Sequence, residues 1–289
     1  MEQGLADLNR AAEQLWLAAQ PAWPTLSIEV LPEVGSTNAH ALALGRDGAR
    51  DPVVVTAWRQ TAGRGRAGRQ WDAQPGQALT LSLALPLALA DVPGGGSALS
   101  LAVGLWTAQA LDGLRSGAAP LVQLKWPNDL WVADRKLGGI LIEAIQGPAL
   151  TPEQRWVVIG LGLNLRGTPD ALAGERTDTG TALGLNLTPG QAMATIVAVW
   201  LAGLRAFEHT GFAPLREAYA ARDALQGRPV ALWRHMQPAP VSAVSGTPAD
   251  GQGIARGVDA NGTLLVDDGQ GHLQAWSIGE VSVRPRAQG

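Results

Sequence analysis

Basic side chains set among glycines are the residues of this sequence best suited to chemistry. Arg64, Arg66 and Arg69 alternate with glycines in the segment TAGRGRAGRQW, and each guanidinium group offers a forked set of donors to a carboxylate or a phosphate. Lys136 opens the run KLGGILIE, where Gly138 adds no side chain and leaves room for a flat ligand. These residue types favour a reaction in which the protein orients anionic substrates and neutralises developing charge.

The composition excludes several other kinds of site. The chain of 289 residues has no cysteine, which rules out disulfides, thiolate metal sites and a cysteine nucleophile, and fits a reducing compartment. Its four histidines are scattered, and no Ser-His-Asp set, HExxH motif, EF-hand or P-loop stands out. The net charge of −3 gives no electrostatic footprint for nucleic acid. The Gly/Arg segment is therefore better explained as an anion-binding or exposed basic loop than as an RNA-binding segment.

Alternating strands and helices are predicted around these side chains. Helices are expected where apolar residues recur at helical spacing, over residues 3–19, 97–114 and 188–225, the last interrupted at Gly211 and Pro214. Strands are expected where short apolar runs lie between turn residues, over 27–31, 53–60, 78–85 and 155–165. Ser36 and Ser97 are predicted N-caps of the helices that follow them.

The stretch KWPNDLWVADRKLGGILIE, residues 125–143, is predicted to fold as strand, turn, strand, tight turn and strand. Side chains of a regular strand alternate between its two faces, so Lys136, Gly138, Ile140 and Ile142 are expected to share one face. A surface hairpin with solvated lysines is the simpler interpretation of this stretch taken alone.

The composition changes after Leu225 and predicts a second unit. Asn261-Gly262 is a strong hairpin signal between short strands, and further strands are expected to about Arg286. The segment Gln237–Gly251, rich in Pro, Ala, Gly and Ser, is expected to be a mobile loop. We therefore expect an N-terminal helical extension (1–25), a main domain (26–225) and a small β-barrel domain (226–289).

Four motifs give the chain a specific resemblance. GSTN (35–38), QTAGRGRAGRQW (60–71), KWPNDL (125–130) and RKLGGIL (135–141) occur in the order found in biotin protein ligases, which the chain closely resembles. One departure is Ala67, which stands where those enzymes usually carry a further arginine. The resemblance implies an α+β fold with a mixed central sheet flanked by helices, similar to class II synthetases and biotin–lipoate ligases, followed by the small β-barrel.

This resemblance also implies an activity and its residues. Biotin would be activated by ATP, with Mg²⁺, to biotinyl-5′-AMP and transferred to a lysine of a biotin carboxyl carrier protein. Catalysis would fall to Lys136, Arg66 and Lys125. Biotin would contact Ser36, Thr37, Asn38, Gln60, Arg64, Gly65, Arg66, Lys136 and Gly138. ATP or the adenylate would contact Arg64, Arg66, Arg69, Trp71, Asn128, Asp129 and Asn164, with no certain protein ligand for the metal.

Two other functions and several partner predictions remain open at this level. A lipoate-type ligase shares the fold and the adenylate logic, and a non-catalytic sensor of biotin or its adenylate could retain the same site. One predicted helix precedes the first strand, whereas the winged helix-turn-helix of some biotin ligases needs several, so we expect no nucleic acid partner. No signal peptide or membrane span is evident, which predicts a cytoplasmic protein, and a homodimer is left open.

Overall fold

Seven strands form one mixed sheet in this computed structural model, which describes residues 1–117, 119–167, 175–234, 249–277 and 281–285. In chain order they are β1 (Ser27–Val34), β2 (Val53–Gln60), β3 (Ala78–Leu87), β4 (Gln123–Lys125), β5 (Asp129–Val132), β6 (Arg135–Ile145) and β7 (Arg155–Asn164). Their spatial order is β1-β2-β3-β7-β6-β5-β4. Only the β1–β2 pair is parallel within this sheet, and the predicted mixed α+β fold is confirmed.

Helices cover the two faces of this sheet unequally. They are α1 (Glu2–Ala19), α2 (Thr37–Arg46), α3 (Gly95–Gly113), α4 (Thr179–Leu183), α5 (Pro189–Thr210) and α6 (Arg216–Ala220). The back face, defined by Leu81, Ile159 and Leu161, packs with α1, α3 and α5 into the main apolar core. The opposite, front face carries a small second cluster under α2, where Ala41 packs near Trp156. The remainder of the front face lies beside the polar side chains described below.

Side-chain caps begin two of the helices, and one predicted cap is not observed. Ser36 caps α2, and Thr188 forms a capping box with Gln191 at the start of α5. The predicted Ser97 cap of α3 is wrong, because the helix already begins at Gly95 and its N-cap is Gly94. Gly94 has a φ of 78°, a left-handed conformation that glycine adopts without strain and serine would not.

A β-bulge in β6 changes which glycine lies beside Lys136. Leu130 pairs with Gly138, but the next residue of β5 pairs with Lys136, so Leu137 is extra. A Cβ built on Gly138 would lie 2.7 Å from the Gly162 carbonyl and 3.4 Å from Leu130, whereas one on Gly139 would lie 3.1 Å from Lys136 Nζ. The prediction that Lys136 shares a face with Gly138, Ile140 and Ile142 is therefore wrong.

The C-terminal strands form a second sheet. They are β8 (Pro229–Arg234), β9 (Gly251–Val258), β10 (Leu264–Asp267), β11 (Leu273–Trp276) and β12 (Val281–Pro285). All pairs are antiparallel in the order β11-β10-β9-β8-β12, which leaves β11 and β12 as edges rather than the closing pair of a barrel within the described residues. The Asn261-Gly262 hairpin is confirmed between β9 and β10. Most of the predicted mobile loop 237–251 falls outside the described residues.

Contacts join the second sheet to the β4–β6 region of the first. The indole Nε1 of Trp126 donates a hydrogen bond to the Gly262 carbonyl at 3.0 Å, and Arg228 pairs with Asp134 in the β5–β6 turn. Within the described residues, α5 is the one helix long and apolar enough to cross a membrane, and half of that stretch is buried inside the fold. Length and composition of this kind are also typical of core helices.

Candidate functional site

Glycines make the floor of the candidate site on the front face. Gly139 pairs with Gly162 across β6 and β7, and Leu141 pairs with Gly160. A Cβ on Gly160 would overlap the Asn38 amide, and one on Gly162 would overlap the Trp71 indole. The absence of side chains at these positions lets groups from α2 and from the Gly/Arg loop lie flat on the sheet.

A buried polar network occupies one end of this floor. The Gln60 side-chain oxygen accepts hydrogen bonds from the backbone N–H of Thr37 at 2.7 Å and from its hydroxyl at 3.2 Å. Ser82 on β3 donates to Asn38 Oδ1 at 2.6 Å and lies 2.8 Å from the Thr37 hydroxyl. Ser36 is also buried and caps the helix by accepting from Ala39 N–H. The sequence thus folds four predicted biotin contacts into one small cluster.

Glu143 joins this network to the Gly/Arg loop. Asn38 Nδ2 donates to the Leu141 carbonyl at 3.2 Å and to Glu143 Oε2 at 3.0 Å. The other carboxylate oxygen of Glu143 pairs with Arg64 at 3.0 Å. The orientation of Asn38 is therefore set from both β3 and β6, and the loop is held over the same end of the sheet.

The Gly/Arg loop itself folds as a short antiparallel ladder. Arg64 bridges Gln70, and the Gly65 N–H donates to the Arg69 carbonyl at 2.7 Å. A single 3-10 turn at Arg66–Gly68 closes the ladder, with Ala67 at a φ of 52°. Arg66 Nη1 donates to Asn128 Oδ1 at 3.3 Å, so the loop reaches across to the KWPNDL turn.

Asn128 and Asp129 hold the opposite end of the site. Asn128 Nδ2 donates to the Ile140 carbonyl at 2.7 Å, which ties the turn to β6. Asp129 lies 2.5 Å from Lys136 Nζ and 3.8 Å from Lys125 Nζ. Burial opposes ionisation of Asp129, but these two ammonium groups outweigh it and hold its pKa below the usual range.

Lys125 is the more deeply placed of the two lysines. Burial is the largest influence on it and lowers its pKa, and the charges of Lys136, Arg69 and Arg284 act in the same direction against the attraction of Asp129. Its ammonium group also lies 5.1 Å from the centre of the Trp131 ring. Three cations, Lys136, Lys125 and Arg69, thus act on the carboxylate of Asp129, and Arg284 acts on Lys125.

Trp71 lies on the Gly162 floor and faces Lys136 and one further cation, Arg176. The centre of its ring is 6.0 Å from Lys136 Nζ and 5.3 Å from the Arg176 guanidinium. Arg176 belongs to a segment that pairs with β6: Lys136 N–H donates to Glu175 and Thr177 N–H donates to Lys136, both at 2.9 Å. Asn164 is buried, and its Nδ2 donates to the Thr177 carbonyl at 3.0 Å.

Most residues predicted for the site are brought together by the fold. Gly138 is the exception, because it faces the core, and its predicted biotin contact loses the reason given for it. Asn164 binds the 175–177 segment through the Thr177 carbonyl. Its predicted nucleotide contact stays a prediction. Sequence reasoning missed Ser82, Glu143 and Arg176.

One signal in the sequence could have helped to find Ser82. Thr80 and Ser82 are the polar residues of one parity within the otherwise apolar run of β3. Arg176 follows a stretch without any motif, and no sequence pattern marks it.

A cleft of about 540 Å³ opens beside this site between residues 59–63 and 70–75. Gln60 and Trp71 line it, so it is continuous with the polar network and with the glycine floor. The described residues contain no cluster of three or more His, Cys, Asp or Glu side chains that could hold a metal ion. Asp129 is the carboxylate nearest the cations, and both of its oxygens already face ammonium groups.

Comparisons of the sequence with known proteins point to one family. A model described as the Biotin/lipoate A/B protein ligase family matches residues 32–164, and one described as the Biotin protein ligase C terminal domain matches residues 246–284. The chain is 34% identical to the Bifunctional ligase/repressor BirA of Escherichia coli over 89% of this chain and 74% of that protein. It is 35% identical to the Biotin--[acetyl-CoA-carboxylase] ligase of Paracoccus denitrificans over 82% of this chain and 92% of that protein.

Solved structures agree on the fold. The biotin protein ligase of Aquifex aeolicus in complex with biotin and ATP superimposes with a TM-score of 0.71 at 23% identity, covering 90% of this chain and 99% of that one. The biotin acetyl coenzyme A carboxylase synthetase of Helicobacter pylori gives a TM-score of 0.58 at 21% identity, covering 86% and 99%. The chain therefore belongs to the biotin protein ligase family.

Proposed function

We propose that this protein activates biotin with ATP to biotinyl-5′-AMP and transfers the biotinyl group to a lysine of a biotin carboxyl carrier protein, an acetyl-CoA carboxylase subunit. The observation that carries the proposal is the pairing of two half-sites on one sheet face. One is a neutral hydrogen-bonding pocket of Thr37, Asn38 and Gln60, and the other is a cluster of cations around Lys136. A neutral ureido ring suits the first, and a carboxylate meeting a phosphate suits the second.

The first step is nucleophilic displacement at phosphorus. A biotin carboxylate oxygen attacks the α-phosphorus of ATP, the bond to the bridging oxygen of the β-phosphate breaks, and pyrophosphate leaves. Lys136 neutralises the two anions where they meet, with Lys125 behind it and Asp129 holding both ammonium groups in place. The phosphate is bound by Arg66, which also donates a hydrogen bond to Asn128, and by Arg64 and Arg69 of the same loop.

The second step is acyl transfer to an amine. The carrier lysine attacks the acyl carbon, its nitrogen loses a proton, and AMP leaves with the bonding pair. The Gly/Arg loop covers the mixed anhydride and keeps water from it until the carrier arrives. Ser36 and Gly65 remain proposed biotin contacts, and Trp71 and Asn164 remain proposed contacts of the adenylate.

Mg²⁺ fits this site as an ion delivered by the nucleotide. Among the described residues Asp129 is the candidate carboxylate, and its contacts with Lys125 and Lys136 leave it poorly placed to serve as the main ligand of a cage. Mg²⁺ commonly keeps several waters and binds substrate phosphates, which needs few protein groups. The chemistry it supplies when bound is neutralisation of phosphate charge.

We assign biotin and ATP binding to residues 26–225 and a closing role to residues 226–289. The support is that Arg284 of β12 lies near enough to Lys125 to lower its pKa, so the second sheet adds a cation to the nucleotide side. Residues 1–25 are assigned a packing role, since α1 lies on α5 and Asp7 accepts a hydrogen bond from Gly190 at the start of that helix. We further propose a cytoplasmic enzyme without a nucleic acid partner, and a homodimer remains one possible assembly.

The test separates the three functions in two assays. Biotin-dependent exchange of pyrophosphate into ATP is expected, with no comparable exchange driven by lipoate, followed by transfer to the carrier lysine. Lys136→Ala should lower exchange by about 10²–10³-fold, the loss typical of removing one group that stabilises transition-state charge. Arg256→Ala, which removes an ion pair with Asp267 within the second sheet, is the control and should retain activity. Lipoate-driven exchange would instead indicate a lipoate ligase, and exchange without transfer would indicate a sensor.

A further inference from the structure

Arg176 is held next to Lys136 by backbone pairing. The two residues form a parallel bridge, and the hydrogen bonds from Lys136 N–H to Glu175 and from Thr177 N–H to Lys136 fix its register. Paired residues of neighbouring strands direct their side chains to the same side of a sheet. Both side chains accordingly reach the Trp71 ring, with the guanidinium 5.3 Å and the ammonium 6.0 Å from its centre.

Two donors in this corner lack partners although they are buried. Arg176 Nη1 and Trp71 Nε1 have no hydrogen-bond partner among the described residues. The Nε1 edge of the indole lies against Gly162, whose strand partner Gly139 lies beside the Lys136 ammonium. Buried donors without acceptors are uncommon in folded proteins because each costs the free energy of its lost hydration, so the pair points to a ligand acceptor.

The charges in the corner call for an anion. Lys136 is engaged by Asp129 at 2.5 Å, whereas Arg176 makes no ion pair with any described residue. A guanidinium group stays protonated in proteins, so its charge cannot be removed by the neighbouring cations. The guanidinium group lies over the Trp71 ring, and the N–H groups of its buried Nη1 have no acceptor among the described residues, so they are available to an anion.

We propose that Arg176 is a further phosphate-binding residue, which contacts the phosphate of the biotinyl-adenylate beside Lys136 while its guanidinium group rests over the Trp71 ring. The inference rests on the proposed function, because that reaction places a phosphate next to Lys136. Asp129 neutralises part of the charge of Lys136, and Arg176 adds a second positive charge beside it. Arg176 comes from a segment outside the four sequence motifs.

The experiment compares two hydrolysis-resistant analogues of the intermediate. One retains the anionic phosphodiester, as in biotinol-adenylate, and the other replaces the phosphate with an uncharged triazole linker. Binding of each analogue and of biotin alone is measured by calorimetry for the wild type, Arg176→Ala, Arg176→Gln and Arg176→Lys. Arg205→Ala is the matched control, since Arg205 lies 4.8 Å from the Trp23 ring outside the site.

Arg176→Ala and Arg176→Gln should weaken binding of the anionic analogue by about 10- to 100-fold, the loss expected for a hydrogen bond to a charged group. Binding of the neutral analogue and of biotin should stay at the wild-type level. Arg176→Lys should recover part of the loss, because it restores the charge without the forked donors. Arg205→Ala should bind all three ligands as the wild type does.

Two results would overturn the proposal. Wild-type affinity of the Arg176 variants for the anionic analogue would exclude a phosphate contact. Equal loss for the anionic and neutral analogues would show that Arg176 acts only by holding Trp71. Pyrophosphate exchange by the wild type separates these outcomes from a failure of the proposed function, since absent exchange rejects that function while the analogue comparison still tests Arg176. If Arg176→Ala does not fold, Arg176→Gln and Arg176→Lys carry the same comparison.

Discussion

The pKa values of two largely buried carboxyl groups near one edge of the central sheet are shifted in opposite directions. Asp129, on β5, has its pKa lowered because Lys136 and Lys125 outweigh its burial. Asp223 follows α6 and bridges Leu124 on β4, and burial raises its pKa to about 6. Asp223 Oδ1 accepts the Leu225 N–H at 2.8 Å, but Oδ2 has no partner among the described residues.

The difference shows that burial alone does not decide the ionisation of a carboxyl group. Desolvation is the largest influence on both residues, and what differs is the presence of cations. At Asp129 the same low dielectric that penalises a lone charge strengthens its attraction to two ammonium groups. Asp129 is thus stabilised in its charged form by the cations of the site, whereas burial favours the protonated form of Asp223, which is a structural group.

The strongest way to break this comparison is Asp129→Asn. The change keeps the shape but leaves two ammonium groups without their shared carboxylate, and removing one partner of a buried pair costs about 3–5 kcal/mol of unfolding free energy. Asp134→Asn, on the same hairpin with 61% of its side chain exposed, is the control and should cost at most about 1 kcal/mol. Urea denaturation at pH 7 measures both. Similar losses of unfolding free energy for the two variants would contradict a strong interaction of Asp129 with the two ammonium groups.

The pH dependence of stability tests Asp223. Its folded pKa of about 6 lies above the ordinary value of 3.8, so the folded chain holds the proton more tightly than the unfolded chain. Its contribution should therefore lower the unfolding free energy as the pH rises from about 4 to 6, by up to about 3 kcal/mol in total.

Asp223→Asn should remove that decline and be the more stable protein at pH 8. Tyr219→Phe removes a nearby buried hydroxyl without a partner among the described residues, and it should keep the decline. Urea denaturation between pH 4 and pH 8 compares the three proteins. If the wild type loses no more unfolding free energy than Asp223→Asn between pH 4 and pH 8, the raised pKa of Asp223 is contradicted.

The smallest expected effect is the lowered pKa of Lys125. Lys125 should titrate below its ordinary value of 10.5, and Asp129→Asn should lower its pKa further by removing the attraction that opposes burial. Because the chain has two lysines, selective ¹³C labelling of lysine gives two side-chain signals, and Lys136→Arg assigns them. A Lys125 signal that titrates at its ordinary value of 10.5 would reject the lowered pKa.

Much of the fold could be predicted because local patterns and tertiary packing agree there. The apolar run of β7 places Gly160, Gly162 and Asn164 on one face, as expected, and Thr188 and Gln191 start α5 in a capping box. The bulge at Leu137 could not be predicted, because strand alternation assumes one residue opposite one residue. That extra residue moved Lys136 from the core side to the site side and exchanged the roles of Gly138 and Gly139.

The site was predictable where it is carried by short motifs. The motif residues of α2, the Gly/Arg loop and the KWPNDL turn meet on the front face, although more than 60 residues separate Arg66 from Asn128. Ser82, Glu143 and Arg176 were missed because their roles arise from pairing between distant strands. Arg176 reaches Lys136 through a bridge across 40 positions of the chain, and no local spacing encodes such a contact.

The placement of both lysines in the site has a consequence for the enzyme's own chemical exposure. An acyl-adenylate that escapes into solution reacts with accessible amines, whereas a guanidinium group stays protonated and does not compete. Apart from four histidines, the basic residues elsewhere on this chain are arginines, and Lys125 and Lys136 keep only 14% and 28% of their side chains exposed. Apart from its α-amino group, the protein therefore offers almost no acceptor for self-labelling, and stray label should collect on neighbouring proteins rather than on the enzyme.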